Sequence, residues 1–250
     1  MSGAAPPPPA GEDPWAELFR TAAALGTATL HEAAGQVGVV DPAVVRMTPG
    51  LVASGPAFPV YTPPGDNLWL HRAVYAARPG DVLVVSTGGG FDFGYWGEVL
   101  SYAAAAREIA GAIIDGCVRD VDELAAVGVP VFARGLCIRG TGKDPDGAGT
   151  LGEPVRVGDI TISRGDFVLG DGDGVFALPM ARLADVVALG RQRRDREHDI
   201  IKQLHAGART LDLYDLPGRD LDDLRSPDAA SGPTTQERDM THSVQEAGCA

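Results

Sequence analysis

Between Val82 and Arg134 the chain alternates short β-branched runs with stretches of helical spacing, and few folds accommodate that alternation. Val82–Ser86, Ile113–Ile114 and Pro130–Ala133 read as strands, and Trp96–Glu108 and Val121–Val127 as helices. Parallel neighbours need a crossover long enough to hold a helix, so the pattern predicts a βαβ unit in a parallel sheet. Polar and glycine residues gather where the strands are expected to end: Thr87-Gly88-Gly89-Gly90 after the first and Asp115-Gly116-Cys117-Val118-Arg119-Asp120 after the second. Ligands of open α/β sheets bind beyond the carboxyl ends of strands, which makes these turns the expected seat of chemistry.

The flanking sequence extends this unit into one α/β domain over residues 14–216. Apolar spacing predicts a helix from Trp15 through Leu25, a second beginning near Thr27 or Thr29, and a third over Leu68–Ala77 capped by Asp66 or Asn67. Leu51–Tyr61 reads as a strand broken by Gly55-Pro56 and edged by Pro59. Leu136–Gly149 is a polar, glycine-rich loop whose lysine, Lys143, is either solvated or within reach of an anionic substrate. Short strands follow at Val155–Val157, Asp159–Ser163, Phe167–Gly170 and Val175–Leu178, a mixed β layer, and then a long helix from Pro179 to about Leu204. Asp171-Gly172-Asp173-Gly174 is a turn; a calcium loop of the EF-hand type needs a glutamate at its twelfth position and flanking helices. The proline-rich arm 1–13 and the acidic tail 217–250 are expected to be disordered, because neither carries enough apolar surface to order itself.

Composition excludes several partners. A formal charge of −13 is wrong for a phosphate backbone, and the basic knot Arg191-Gln192-Arg193-Arg194 is interleaved with Asp195 and Glu197, as on a solvated helix face with i,i+4 pairs. No apolar run reaches the roughly 18 residues of a membrane span, and no basic-then-apolar leader opens the chain. Cys117, Cys137 and Cys249 form no paired framework, which suits a reducing cytoplasm. The five histidines are scattered, so a metal would rest on carboxylates.

Two local patterns can carry chemistry. Arg119 offers a planar fork suited to a carboxylate or enolate oxygen, and Asp120 can present a carboxylate outward at the strand tip. The same residues also read as a helix cap, Asp120-Val121-Asp122-Glu123, with Arg119 paired to it. Gly97-Glu98-Val99-Leu100 opens a helix behind the glycine loop, where unpaired N–H groups bind anions; a tight turn and an acid favoured at a helix start account for it equally.

Gly97-Glu98-Val99-Leu100, then Ala110 to Asp120, then Val129-Pro130-Val131-Phe132, with Pro79 to Val85, Gly65-Asp66-Asn67 and Gly165 to Asp171 in order around them, resembles the family that joins class II 4-hydroxy-4-methyl-2-oxoglutarate aldolases to the regulator of ribonuclease E activity A. The resemblance implies a swivelling β/β/α-like fold and a ring-shaped homo-oligomer, a trimer or hexamer, with sites between subunits. It also implies a cytoplasmic enzyme of small 2-oxo acids, dependent on Mg2+ or Mn2+. By the same resemblance Asp120 ligates the cation directly, Arg119 binds substrate, and Gly97, Glu98, Val99 and Leu100 hold the pyruvyl carboxylate while Glu98 steers metal-bound water. Glu197 matches a glutamate that reaches a neighbouring subunit's site and completes an outer metal shell. The family's usual Thr-x-x-x-x-Asp-Ala is Thr27-Ala28-Thr29-Leu30-His31-Glu32-Ala33 here, and Glu32 reads instead as an early-helix acid.

Carbon–carbon cleavage or loss of carbon dioxide leaves the same pyruvate enolate, so oxaloacetate decarboxylation is the expected companion activity. No lysine lies in these motifs for a Schiff base, and no histidine is placed as a base. Two other functions are kept: a non-catalytic regulator that binds a ribonuclease, and a specialised biosynthetic lyase or hydratase. Phe91, Phe93, Tyr95 and Trp96 hint at a bulkier substrate for the last, or else at core.

Overall fold

The computed structural model describes residues 14–216; the expected arm and tail, with Cys249, lie outside them. In chain order the elements are α1(Pro14–Leu25), α2(Thr27–Ala33), β1(Val45–Arg46), β2(Ala53–Tyr61), α3(Leu68–Ala76), β3(Val82–Ser86), β4(Gly94–Trp96), α4(Glu98–Ala106), β5(Gly111–Val118), α5(Val121–Val127) and β6(Val131–Leu136). There follow β7(Thr150–Leu151), β8(Val155–Val157), β9(Ile160–Ile162), β10(Phe167–Gly170), β11(Val175–Leu178), a 3-10 turn at Met180–Arg182, α6(Leu183–His205) and α7(Thr210–Leu213). The chain divides into two compact units, Met1–His198 and Asp199–Ala250. In the second, the described residues hold the end of α6 and the short α7, with local pairs Lys202–Asp199 and Arg209–Asp212.

Among the described residues nine strands form one mixed sheet in the order β1-β6-β5-β3-β2-β10-β11, with β4 on β5 and β7 on β2; β8 and β9 form a separate hairpin. The run β2-β3-β5-β6 is parallel, and α3, α4 and α5 make its crossovers. All three helices pack on one face, because strand side chains alternate. Leu83 and Val85 of β3, Ala112 and Ile114 of β5, and Val131 and Ala133 of β6 meet Leu70, Leu100 and Leu124 of the helices. The intervening Val82, Val84, Ile113 and Phe132 point the other way, onto Val155, Val157 and Ile162 of the hairpin. The same alternation on β10 and β11 sends Phe167, Leu169, Phe176 and Leu178 against α1, α2 and α6. Three apolar layers thus follow from a period of two.

Four expectations are corrected. Trp96 belongs to β4 rather than to the following helix, which starts at Glu98 and ends at Ala106. Asp115 to Val118, expected as a turn, continue β5, because Asp115 pairs with Ser86 of β3 and β4 and β6 flank Cys117 and Val118 on both edges; the turn is confined to Arg119 and Asp120. β2 is unbroken and central: its first half pairs with β10 and its second with β3, so Pro56 and Pro59 each sit where one neighbour carries the main ladder. Glu32 lies in the last turn of α2, where the dipole disfavours an acid, and is held instead by Arg193 at 3.7 Å.

The N-terminus of α2 draws its acid from elsewhere. Asp171 accepts the Thr27 N–H and the Thr27 hydroxyl, both at 2.7 Å, and turns its own loop through the Asp173 N–H. The Asp171 turn therefore serves as a cap across the sheet. Of the basic knot, Arg193 makes the i,i+4 pair with Glu197 at 2.9 Å, while Arg191 and Arg194 reach Thr21 and the Ala24 carbonyl, so this helix face is partly docked.

Candidate active site

The carboxyl ends of the parallel strands and the starts of α3, α4 and α5 meet around a cleft of about 250 Å³, lined by Asn67, His71, Gly97, Leu100, Arg119, Asp120 and Lys143 among others. That is room for a small organic acid. A second hollow, walled by Leu136 and Ile138, shares Arg119 and Asp120, so this pair stands on a ridge between the two.

Asp120 is the unusual residue. It has φ +57° and ψ +42°, a left-handed conformation that costs a non-glycine residue roughly 1 kcal/mol or more, and its side chain makes no cap bond to α5, the helix it precedes. Of the helix-cap alternative, the side-chain cap on α5 is absent, while the Arg119 pairing is present. Its Oδ2 instead accepts the Glu98 N–H at 3.1 Å, the first amide of α4. The left-handed turn is what swings the carboxylate from one helix start to the other. Gly97 permits the approach: a Cβ there would lie 2.3 Å from Asp120 Oδ2.

Arg119 Nε stands 3.7 Å from Asp120 Oδ2, with the two side chains 48% and 39% exposed. A pair so open to water adds little stability, about 0–1 kcal/mol, so folding does not explain its placement. Asp120 thus caps the first amide of α4, and Val99 and Leu100, whose N–H groups at a helix start have no acceptor within the helix, line the cleft together with Arg119. Gly97, Val99, Leu100, Arg119 and Asp120 therefore come together as expected, with Glu98 joined through its backbone. Glu197 does not join them within this chain; its carboxylate is engaged by Arg193.

The glycine loop stays out of the lining. Tyr95 pins it, donating its hydroxyl to the Gly90 carbonyl at 2.6 Å and accepting the Gly65 N–H at 2.8 Å. Burial holds the Tyr95 hydroxyl above its ordinary pKa. Trp96 is core, donating to Ser101, whereas Phe91 and Phe93 lie under the guanidinium groups of Arg134 and Arg139.

The sequence offered Lys143 as either solvated or within reach of an anionic substrate and placed no histidine here; Lys143 and His71 both line the cleft. His71 follows Asn67 by one helical turn, and that spacing was the available signal. Burial lowers its pKa, Lys143 lowers it further and Asp66 opposes, so the ring is neutral near pH 7.

Among the described residues no three His, Cys, Asp or Glu side chains gather as a metal cage. Asp120 nonetheless fits a hard divalent ion that keeps most of its waters: it is exposed and its Oδ1 takes no hydrogen bond. A dehydrated, fully protein-ligated ion does not fit. Gly97→Ala is expected to displace the Asp120 carboxylate with little change in Tm, since φ −160° suits any residue, and to lower kcat/KM at least about tenfold; thermal melts and kinetics check this.

The mixed sheet with a parallel centre and a cleft at its strand ends defines an α/β protein. Residues 27–177 match the family model described as Aldolase/RraA, more than half of the chain, and the chain belongs to that family. A protein of Halalkalibacterium halodurans, named provisionally as a 4-hydroxy-4-methyl-2-oxoglutarate aldolase, is 34% identical over 140 residues, covering 56% of this chain and 66% of its own length. The chain thus spans just under two thirds of that curated relative. An uncharacterized protein from Pseudomonas syringae pv. tomato superposes with TM-score 0.66 at 28% identity, covering 78% of this chain and 94% of its own. The RNA-processing inhibitor RraA from Thermus thermophilis superposes with TM-score 0.56 at 25% identity, covering 62% and 92%. No helix among the described residues is long and apolar enough to cross a membrane.

Proposed function

We propose that the protein is a divalent-metal-dependent lyase that cleaves a carbon–carbon bond of a small 2-oxo acid, of the 4-hydroxy-4-methyl-2-oxoglutarate type, with oxaloacetate decarboxylation as its second activity. The observation that carries this is the strained Asp120, whose carboxylate is turned away from its own helix to the rim where Arg119 and the α4 amides converge. Strain at a single acid beside a cation and free N–H groups marks a site rather than a fold requirement.

In this reading Arg119 and the Val99 and Leu100 amides bind the 1-carboxylate and neutralise charge as it develops. Asp120, with Glu98 and a neighbouring copy's Glu197 acting through water, would hold magnesium or manganese, which would supply polarisation of the 2-oxo group. The 4-hydroxyl gives its proton to a water molecule at the site, the bond between carbons 3 and 4 breaks, and its electron pair becomes the pyruvate enolate, which takes a proton from water at carbon 3. From 4-hydroxy-4-methyl-2-oxoglutarate both halves are pyruvate. In oxaloacetate carbon dioxide leaves in place of the second half.

Assembly of copies, a trimer or hexamer, belongs to the same proposal. Val99, Tyr102, Leu136 and Ile138, 75%, 58%, 57% and 95% exposed, form an apolar fringe beside the cleft that a partner subunit would cover. A second function, a non-catalytic regulator of a ribonuclease, is favoured by the likeness to the RNA-processing inhibitor.

Coupled-assay measurement of pyruvate release from 4-hydroxy-4-methyl-2-oxoglutarate and from oxaloacetate separates them. Turnover with magnesium or manganese that chelator abolishes is the expected result. Absence of turnover together with tight ribonuclease binding favours the regulator, and metal-independent turnover rejects the mechanism.

A further inference from the structure

Two separate elements supply the proposed acid grip: the first turn of α4, with the Val99 and Leu100 amides, and the turn after β5, with Arg119. Both must aim at one small carboxylate, and a displacement of about 1 Å between groups that share a ligand costs on the order of 100-fold in rate. At the surface little joins them. Asp120 Oδ2 meets the Glu98 N–H at 3.1 Å in an exposed bond, and β4, the three residues that deliver α4, pairs with β5 at Gly94 and Trp96 with a shift of register between them.

Trp96 makes the buried connection. Its carbonyl accepts the Arg119 N–H at 2.9 Å, and its indole Nε1–H donates to Ser101 Oγ of α4 at 2.7 Å. Trp96 and Ser101 are 1% and 0% exposed, so water does not compete for this bond. One residue thus holds the Arg119 turn by its main chain and reaches past Gly97 to α4 by its side chain. Ser101 is the second observation. The buried positions of α4 are Leu100, Ser101 and Ala104, on a helix that ends in four alanines. Alanine would fill position 101 nearly as well, and a hydroxyl taken wholly out of water is disfavoured unless it is bonded. The bond that accounts for it is the one from the indole.

We propose that Trp96 is a positioning residue of the acid site, its indole bond to Ser101 setting the α4 amides against Arg119 so that the two elements grip one carboxylate. This rests on the reading of Val99, Leu100 and Arg119 as the groups that bind the 1-carboxylate. Trp96 acts through them and touches no substrate itself. An indole suits the task, being rigid, with a single N–H and no acceptor, so that the link has one geometry. The exposed Asp120–Glu98 bond cannot replace it, because water reaches that bond and Asp120 is also the proposed cation ligand.

Ser101→Ala removes the acceptor and strands the indole N–H. Calorimetric titration of the full chain with pyruvate in magnesium buffer is expected to give a Kd about tenfold above wild type, and Ser101→Thr, which keeps the hydroxyl, to return within about threefold. Thr48→Val is the structural control: the Thr48 hydroxyl accepts the Val131 N–H at 2.9 Å, equally buried, at the end of β6 away from the cleft. It should lower Tm comparably and leave Kd within about twofold. Amide hydrogen exchange at Arg119 needs no ligand, because that N–H is bonded to the Trp96 carbonyl; it should quicken about tenfold in Ser101→Ala and recover in Ser101→Thr. Should Ser101→Ala not fold, Ser101→Cys, of similar volume and a weaker acceptor, carries the same comparison. An unchanged Kd in Ser101→Ala, an equal rise in Thr48→Val, or unchanged exchange at Arg119 overturns the positioning role. No pyruvate binding by the wild type, with Arg119 exchange still quickened in Ser101→Ala, sustains the link between α4 and the turn and rejects the 2-oxo acid reading.

Discussion

Asp120→Asn is expected to fold as the wild type does and to lose about 10²–10³-fold in kcat/KM for pyruvate release, the scale of removing one group that stabilises developing charge. Asparagine is the informative replacement. It tolerates the left-handed backbone at φ +57° almost as well as aspartate, and its amide oxygen can still accept the Glu98 N–H. What it lacks is the negative charge. Asp120→Ala removes the charge too but adds backbone strain, so a fall in Tm for alanine with none for asparagine isolates the chemical role. Titration of magnesium against activity in the asparagine variant should show saturation lost or shifted by an order of magnitude or more. Full activity in Asp120→Asn rules out the proposed role for this carboxylate.

The second large effect is on stability. Arg134 donates from Nε to Asp115 at 2.6 Å and from Nη2 to Asp41 at 2.7 Å, with side chains 17%, 8% and 26% exposed, tying the segment before β1 to the central strand. Arg134→Met keeps the packing over Phe91 but leaves two carboxylates, one of them buried, without their cation; about 3 kcal/mol of stability should be lost at pH 7. The pH dependence has a defined sign. Burial, ahead of the opposing Arg134, already raises the Asp115 pKa, so charging it works against folding as pH rises through that value. Removing Arg134 raises it further. The Ala43 N–H and then Arg134 lower the Asp41 pKa, so its contribution is present above the ordinary carboxylate range and lost as pH falls. Urea unfolding of the variant should therefore show a deficit at pH 7 that shrinks as pH falls and Asp115 takes up its proton. An equal deficit throughout would mean that lost packing, not the bare carboxylates, causes it.

Much of the fold was legible because its short strands are apolar runs bounded by glycine, proline and aspartate. Val82–Ser86, Val121–Val127, Phe167–Gly170 and Val175–Leu178 end where the sequence pattern ends them. Reach was harder to read. Asp115-Gly116-Cys117 has no alternation of its own and is strand because β3 holds Asp115 and β4 and β6 hold Cys117. Pro56 and Pro59 argued for a broken edge, yet the strand is central, since a proline's missing donor matters only on the side where a neighbour needs it.

The site divides in the same way. Local spacing determined that Arg119 and Asp120 sit at a strand tip and that Gly97 to Leu100 open a helix, because caps, turns and periodicity act over a few residues. Tertiary structure alone decided that Asp120 serves α4 and not α5, that Glu32 and Glu197 share Arg193, and that His71 and Lys143 line one cleft with Arg119. Those outcomes depend on which helix start a carboxylate can reach and on loops fastened by residues far away in the chain, and such distances are set by packing, which no short stretch of sequence encodes.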